Sequence, residues 1–393
     1  MFELRNNQID AVKIGIDYFR KGGIKPSLMV EPVAYGKSIV IAHIVQGIRD
    51  LGKALVLQPS KELLEQNWGK LRALGGDASI FSASLNQKEF GHVTYATIGS
   101  IKTLGTKFQE LGYKFLIIDE ADRYPRGSES MLGKFLRDSK IKSVLGFTAT
   151  PFKLQTNSFM RESYSITKML TSRSKHGNFF KNIIHVTQIQ DIIKDGYWSK
   201  LEYEIHKFDT SKLVYNSTKA EYTDRSIVDA YYGQKIHDKI INRINSFNSR
   251  KSILVFVPSV AEAVSLSQEI PNSVAVYGDM PTSERQDAVE GFKSGKYKTA
   301  INVNVLSVGF DHPGLDAILL GRATASLSVF YQQCGRGTRI HPEKEECAII
   351  DFVGNVQKFG KIDNLYFKKE RSLWKLYDIQ NNKLLTGVPI HEL

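Results

Sequence analysis

Eight short apolar runs constrain the fold of this chain more tightly than anything else in its sequence. They are Ala54–Leu57, Lys114–Ile118, Val144–Phe147, Ile253–Val257, Val274–Tyr277, Thr299–Val303, Ala317–Leu320 and Ala348–Ile350. Each is strand-length, and helix-like stretches lie between them: KELLEQNWGKL follows the first, VAEAVSLSQEI the fourth. Uninterrupted apolar strands alternating with amphipathic helices form parallel sheets covered on both faces. Ligands of such sheets bind beyond the carboxyl ends of the strands, so the polar residues that end each run are the ones to inspect. The pattern lapses between about residues 153 and 250, which are polar and irregular, with breaks at Gly177 and Gly196. The reading is two α/β domains: a first over 1–193, a connector over 194–229, a second over 230–360, and an extension over 361–393 packed on the second.

Composition narrows the class. With 42% hydrophobic and 24% charged residues the chain is globular, not disordered or collagenous. The two cysteines, Cys334 and Cys347, are too few for a disulfide framework or a four-thiolate zinc site, and fit a reducing compartment. The opening MFELRNNQID lacks the basic and apolar regions of a signal peptide. No apolar run approaches the ~20 residues of a membrane span. Lys and Arg number 53 against 41 Asp and Glu, a formal net charge of +12. Such an excess suits a polyanionic partner such as nucleic acid; a solvated basic surface accounts for it as well.

Three clusters carry chemistry. The first is Gly36-Lys37-Ser38 ahead of the apolar IVIAHIV. A Gly-Lys-Ser loop opening a helix cradles phosphates: backbone N–H groups face the anion, the lysine neutralises it, and the hydroxyl reaches Mg²⁺. The full P-loop pattern wants glycine five residues before Gly36, where Glu31 stands. The second is Asp119-Glu120-Ala121-Asp122, directly after an apolar run. Asp119 suits Mg²⁺ and Glu120 suits a general base; an acidic helix N-cap is the plainer alternative. The third is Gln332-Gln333-Cys334-Gly335-Arg336-Gly337-Thr338-Arg339. Two arginines three apart project from one helix face, and a guanidinium at a γ-phosphate neutralises transition-state charge. Alone, this cluster reads better as a basic surface turn or a phosphate-backbone contact.

In this order, the three clusters resemble those of superfamily 2 helicases and translocases of DEAD/DEAH type. The resemblance covers roughly residues 2–360. Leu4-Arg5-Asn6-Asn7-Gln8 resembles the adenine-reading motif. Gly36-Lys37-Ser38 and Asp119-Glu120-Ala121-Asp122 resemble motifs I and II. Pro59-Ser60-Lys61-Glu62-Leu63 with Gln66 resembles motif Ia, Thr94-Tyr95-Ala96-Thr97 motif Ib, and Thr148-Ala149-Thr150-Pro151 motif III. Val255-Phe256-Val257 with Ser259 resembles motif IV, Leu306-Ser307-Val308-Gly309-Phe310-Asp311 motif V, and Gln332, Gly335, Arg336 and Arg339 motif VI. Asp191-Ile192-Ile193-Lys194-Asp195-Gly196-Tyr197 and Asp351-Phe352-Val353-Gly354-Asn355 are similar to segments of RadD- and UvsW-like DNA repair helicases. Compact proteins of this plan resemble phage-encoded repair and branch-migration helicases.

The resemblance implies two tandem RecA-like P-loop domains, with the ATP site and the nucleic-acid path across the cleft between them. It implies ATP and Mg²⁺ as cofactors. Arg5, Gln8, Ala34, Tyr35, Gly36, Lys37, Ser38, Gly309 and Asp311 would hold nucleotide, Gln8 at the base and Asp311 at the ribose. Ser38 and Asp119 would hold the metal. Lys37, Asp119, Glu120, Gln332, Arg336 and Arg339 would be catalytic, with Gln332 placing water and Arg339 the first choice of arginine finger. Asp122, Thr148 and Thr150 would couple the two activities. Ser60, Lys61, Thr97, Ser259 and Ser307 would contact nucleic-acid phosphates.

The implied function is an ATP-dependent DNA helicase or translocase acting on forked, branched or single-stranded DNA, with weak sequence preference. Repair or recombination proteins would be its partners. The cytoplasm would be its compartment, the host's if phage-encoded, without membrane or zinc. The alternatives are an RNA helicase, or an ATP-gated nucleic-acid-binding module without productive unwinding. For the strand-separating wedge, two basic, aromatic stretches are candidates. One is 153–181, with Lys153, Arg161, Lys168, Arg173, Lys175 and Lys181 against Glu162 alone. The other is 366–377, where Phe367, Leu373 and Tyr377 would instead pack on the second domain. Two departures stand out. Ala34 replaces the inner P-loop glycine, which narrows the permitted backbone angles. Asp122 stands where DNA repair relatives often carry histidine.

Overall fold

The computed structural model describes residues 3–124, 127–159, 162–172, 178–217, 219–306 and 310–393. Two compact units emerge: Met1–Phe152 with Met169–Gln188, and Lys153–Lys168 with Ile189–Leu393.

In the first unit, helix α1 (Asn6–Arg20) leads to β1 (Ser27–Val30), α2 (Lys37–Gly47), β2 (Lys53–Leu57) and α3 (Lys61–Ala73). Then come β3 (Ser79–Ser82), β4 (Gln87–Lys88), β5 (Val93–Ala96), β6 (Tyr113–Ile118) and β7 (Ser143–Thr148). Beyond β8 (Phe152–Phe159) and β9 (Glu162–Met169) the unit closes with β10 (Asn182–Val186). The sheet order is β10-β1-β7-β6-β2-β5-β3-β4. Every pairing is parallel except β3 with β4. All residues of β1, β5 and β7 are buried, as two-sided coverage by helices requires. Register aligns the carboxyl ends: Val30 lies beside Thr148, Gly146 beside Ile118, and Ile118 beside Leu57. Glu31, Asp119 and Gln58 therefore leave the sheet at one edge.

The second unit holds a six-stranded, wholly parallel sheet. Its strands are β11 (Lys200–Ile205), β12 (Ile253–Phe256), β13 (Ser273–Tyr277), β14 (Thr299–Val303), β15 (Ala317–Leu320) and β16 (Glu346–Asp351). Their order is β11-β16-β15-β12-β14-β13. Residues 361–393 form an antiparallel sheet of β17 (Leu365–Glu370), β18 (Leu373–Asp378) and β19 (Lys383–Leu384). Gln190 donates to the carbonyls of Asp363 and Leu365, tying this sheet to its own unit.

All eight apolar runs are strands. The polar stretch between them is not the pause its composition suggests: it supplies β10 to one sheet and β11 to the other. Both are edge strands with at most one paired neighbour, and both are partly solvated. Residues 194–229 thus contain β11 and the first part of the helix Asp224–Gly233. In the extension, Phe367 is buried, but Leu373 is 57% exposed and does not pack as expected. Strand alternation places it on one face with Lys375 and Tyr377, both only half-buried, opposite the buried Leu376 and Asp378.

Candidate nucleotide-binding site

In the first unit the loop from β1 to α2 is Glu31–Gly36. Gly36 has φ +91°, a left-handed conformation that turns the chain into α2 at Lys37. A Cβ on Gly36 would also meet Gln8 Nε2 at 2.8 Å. Ala34 takes φ +59°, so the loop keeps a glycine-like backbone although the glycine is gone. The Tyr35 side chain is buried and its hydroxyl donates to the Asn7 carbonyl at 2.8 Å. Gln8 Nε2 donates to the Tyr35 carbonyl at 2.7 Å, and Gln8 Oε1 accepts from Arg5 N–H at 3.0 Å. The expected base-reading amide thus fastens the start of α1 to the phosphate loop here.

The Lys37 ammonium lies 3.1 Å from Glu120 Oε1. Burial opposes its charge, but Glu120, Asp119 and Asp122 outweigh that and hold Lys37 above the ordinary lysine value. Glu120 has φ +46°, and its side chain does not cap the short 3₁₀ turn Ala121–Arg123. The acidic N-cap alternative is therefore excluded for Glu120, whose carboxylate faces Lys37 instead. Asp119 is buried. Burial, then the Glu120 charge, push its carboxyl up to about 7, with Lys37 pulling back. Asp122 accepts from Thr148 Oγ1 at 2.6 Å, and Thr150 N–H donates to that same hydroxyl at 2.9 Å. Burial raises the Asp122 carboxyl too. Asp122, Thr148 and Thr150 thus form one hydrogen-bonded group between the ends of β6 and β7.

Sequence reasoning missed three residues here. Asn67 on α3 donates to Asp119 Oδ2 at 3.0 Å and to Gln58 Oε1 at 2.9 Å. Lys70, one turn later, donates to Ser38 Oγ at 2.8 Å. Glu31, read only as a missing glycine, is fully buried and accepts from Thr187 Oγ1 at 2.5 Å, with His185 Nε2 3.7 Å away. Burial drives its carboxyl up to about 8; Thr187 and the Lys37 charge only partly offset this. Helical spacing in α3 pairs Asn67 with Lys70, but only the fold reveals what they meet.

The helix-opening loop, one lysine, one hydroxyl and a buried carboxylate fit a nucleoside triphosphate with Mg²⁺. Ser38 and Asp119 would hold the metal, which when bound neutralises phosphate charge.

Ser60 and Thr97 follow neighbouring strands β2 and β5. Ser60 caps α3, accepting from Leu63 N–H at 3.3 Å, and Thr97 Oγ1 lies 2.9 Å from Ser100 Oγ. Lys61 is exposed beside Ser60. In the second unit Ser259 follows β12 and caps the helix Val260–Glu269 by accepting from Glu262 N–H at 3.2 Å. Ser307 and Gly309 lie outside the described residues, as do Arg161, Arg173 and Lys175 of the basic stretch.

The arginine cluster sits in the second unit. Gln332 is in the helix Leu327–Cys334, but Gly335–Thr338 is a 3₁₀ turn and Arg339 is extended. The arginines therefore do not share an α-helical face. Both guanidiniums nonetheless donate to the Phe310 carbonyl. Arg339 Nε also lies 2.8 Å from Asp311 Oδ1. Gly337 is required by close packing, since a Cβ there would meet Cys347 Sγ at 2.5 Å.

Two units built on parallel sheets, one with a phosphate loop beside paired acids and one with an arginine cluster, define a tandem RecA-like fold. The chain belongs to the superfamily 2 helicases. Residues 1–153 match the family described as type III restriction enzyme, res subunit, and residues 235–341 the helicase conserved C-terminal domain. The chain is 24% identical to a Saccharomyces cerevisiae protein under the provisional name ATP-dependent helicase IRC3, across 89% of this chain and 51% of that one. It is 27% identical to a 51.5 kDa protein of a Lactococcus phage, across 86% of this chain and 67% of that one. It is 24% identical to DEAD-box ATP-dependent RNA helicase 7 of Arabidopsis thaliana, across 72% and 39%. The chain thus spans about half the length of its yeast relative. Among solved structures, the ATP-dependent type ISP restriction-modification enzyme LlaBIII bound to DNA shares the fold. Its TM-score is 0.63 at 16% identity, over 90% of this chain and 28% of that one. Among the described residues, no helix is long and apolar enough to cross a membrane.

Proposed function

We propose that this chain hydrolyses ATP in response to nucleic acid and couples the cycle to movement on, and remodelling of, forked or branched DNA. The observation that carries the reading is the convergence of Lys37, Ser38, Asp119 and Glu120 at the carboxyl ends of β1 and β6. In this reading Lys37 leaves Glu120 for the phosphates, and Glu120 is then free to take a proton from the attacking water. Arg336 and Arg339 neutralise charge on the transferred phosphoryl group. The Asp122–Thr148–Thr150 group passes the state of the acids to the nucleic-acid face. Ser60, Lys61, Thr97, Ser259 and Ser307 grip phosphates without reading bases. DNA is favoured over RNA by a motif Ia of Pro-Ser-Lys-Glu-Leu form and by segments similar to repair helicases; a relative named as an RNA helicase keeps RNA the second reading.

The test is ATP hydrolysis with single-stranded DNA, forks, four-way junctions or RNA. Stimulation by DNA, lost at least about 10²-fold in Lys37→Ala and Glu120→Gln, is expected. Turnover independent of nucleic acid and unchanged in both variants contradicts the reading. Stronger stimulation by RNA moves it to the second reading. Tight ATP-dependent binding with negligible phosphate release makes the chain a gated binding module. Unwinding of junctions but not simple duplexes supports branch migration in repair or recombination.

A further inference from the structure

The two groups that would hold a divalent cation already face other partners. Ser38 Oγ accepts from Lys70 Nζ, and Asp119 accepts from Asn67 and from Glu120 N–H. Asn67 and Lys70 lie three residues apart on α3, so one helix face brings an amide to one cation ligand and an ammonium to the other. Lys70's charge acts on Asp119 as well, lowering its carboxyl against burial. Lys37 meanwhile pairs with Glu120. The site's acids are thus balanced by two lysines, one from the phosphate loop and one from outside it.

We propose that Lys70 is a built-in occupant of the divalent-cation position: its ammonium holds Ser38 until nucleotide arrives, so that the cation enters with nucleotide and not before it. The inference rests on the reading of Ser38 and Asp119 as cation-holding groups. A Mg²⁺ or Mn²⁺ ion sits about 2.0–2.2 Å from its oxygen ligands. An ion on Ser38 would therefore lie within about 5 Å of the Lys70 nitrogen where it now stands. Two cations at that separation repel strongly in a partly buried site. Phosphates reverse the balance, because they attract both the ion and the displaced ammonium. Lys70 is half-buried, so its four-carbon stem has room to swing outward. The device would keep the carboxylate pair from trapping free metal and would make nucleotide the trigger for assembling the site.

The experiment is a Mn²⁺ titration of the full chain without nucleotide, with free ion read by electron paramagnetic resonance. Lys70→Met should bind one Mn²⁺ at least about tenfold tighter than the wild type. Lys70→Arg, which keeps the charge, should stay near wild type, as should Lys107→Met, which removes an exposed lysine elsewhere in the unit. Adding Asp119→Asn to Lys70→Met should abolish the gain. Equal affinity in wild type and Lys70→Met, or a gain that survives Asp119→Asn, overturns the proposal. Thermal melting verifies each variant's fold, and Lys70→Gln repeats the comparison if the methionine variant melts early. A wild type without nucleic-acid-stimulated ATP hydrolysis would sink the functional reading, whereas the nucleotide-free titration judges Lys70 by itself.

Discussion

Ala34 holds a conformation its own Cβ opposes. For an L-residue the left-handed region costs roughly 1–2 kcal/mol, and the φ of +59° lies within it. Ala34→Gly removes that strain while adding up to about 1 kcal/mol of unfolded-state freedom. Urea denaturation should therefore show the variant as stable as the wild type, or up to about 1 kcal/mol more stable. Ala34→Val, with a β-branched side chain at the same φ, should lose about 1–2 kcal/mol. Three residues earlier, Glu31 sets a pH dependence. Its carboxyl is raised from 4.5 to about 8 in the folded chain. Between those values the folded state keeps a proton that the unfolded state releases. The stabilisation is complete below the unfolded value and is lost as pH rises through the folded one. Across pH 5 to 8 the loss should be on the order of 3 kcal/mol. Urea midpoints of Glu31→Gln should be flatter over that range than those of wild type, and higher at pH 8.

At the scale of elements, the arginine turn is held by close packing. Gly337 lies against the buried Cys347 of β16, so Gly337→Ala should destabilise the second unit by about 1–3 kcal/mol, read by denaturant unfolding. The same turn marks where sequence reasoning reaches its limit. The residues Arg336 and Arg339 were legible from spacing, but their helix was not, because Gly335 and Gly337 break the α-helix into a 3₁₀ turn. Central strands were legible because burial on both faces leaves unbroken apolar runs, as in β6 and β15. The edge strands β10 and β11 were not, because NIIHV and KLEYEI mix polar with apolar residues where one side meets water. Ser60 and Ser259 read from sequence as phosphate contacts, yet both hydroxyls cap helices. A hydroxyl before a helix serves either purpose. Asn67 and Lys70 were illegible for another reason: their partners lie 52 and 32 residues away in the chain.

For the whole molecule, the +12 charge is a statement about partners and ionic strength. If it serves nucleic acid, binding must release counterions. The logarithm of DNA affinity should then fall linearly with the logarithm of salt, by roughly 0.9 per phosphate neutralised. Fluorescence anisotropy between low and physiological salt measures that slope, and a flat response would assign the charge to surface solvation. The path of the backbone carries a different consequence. The chain leaves the first unit after Phe152, contributes Lys153–Lys168 to the second, and returns at Met169 to add β10 beside β1. During synthesis, the strand that opens into the phosphate loop therefore waits with one bare edge until residues 182–186 have emerged. Exposed edges invite pairing with other chains. The order of translation thus makes the pairing of β10 with β1 a late closing step, the one that removes this bare edge.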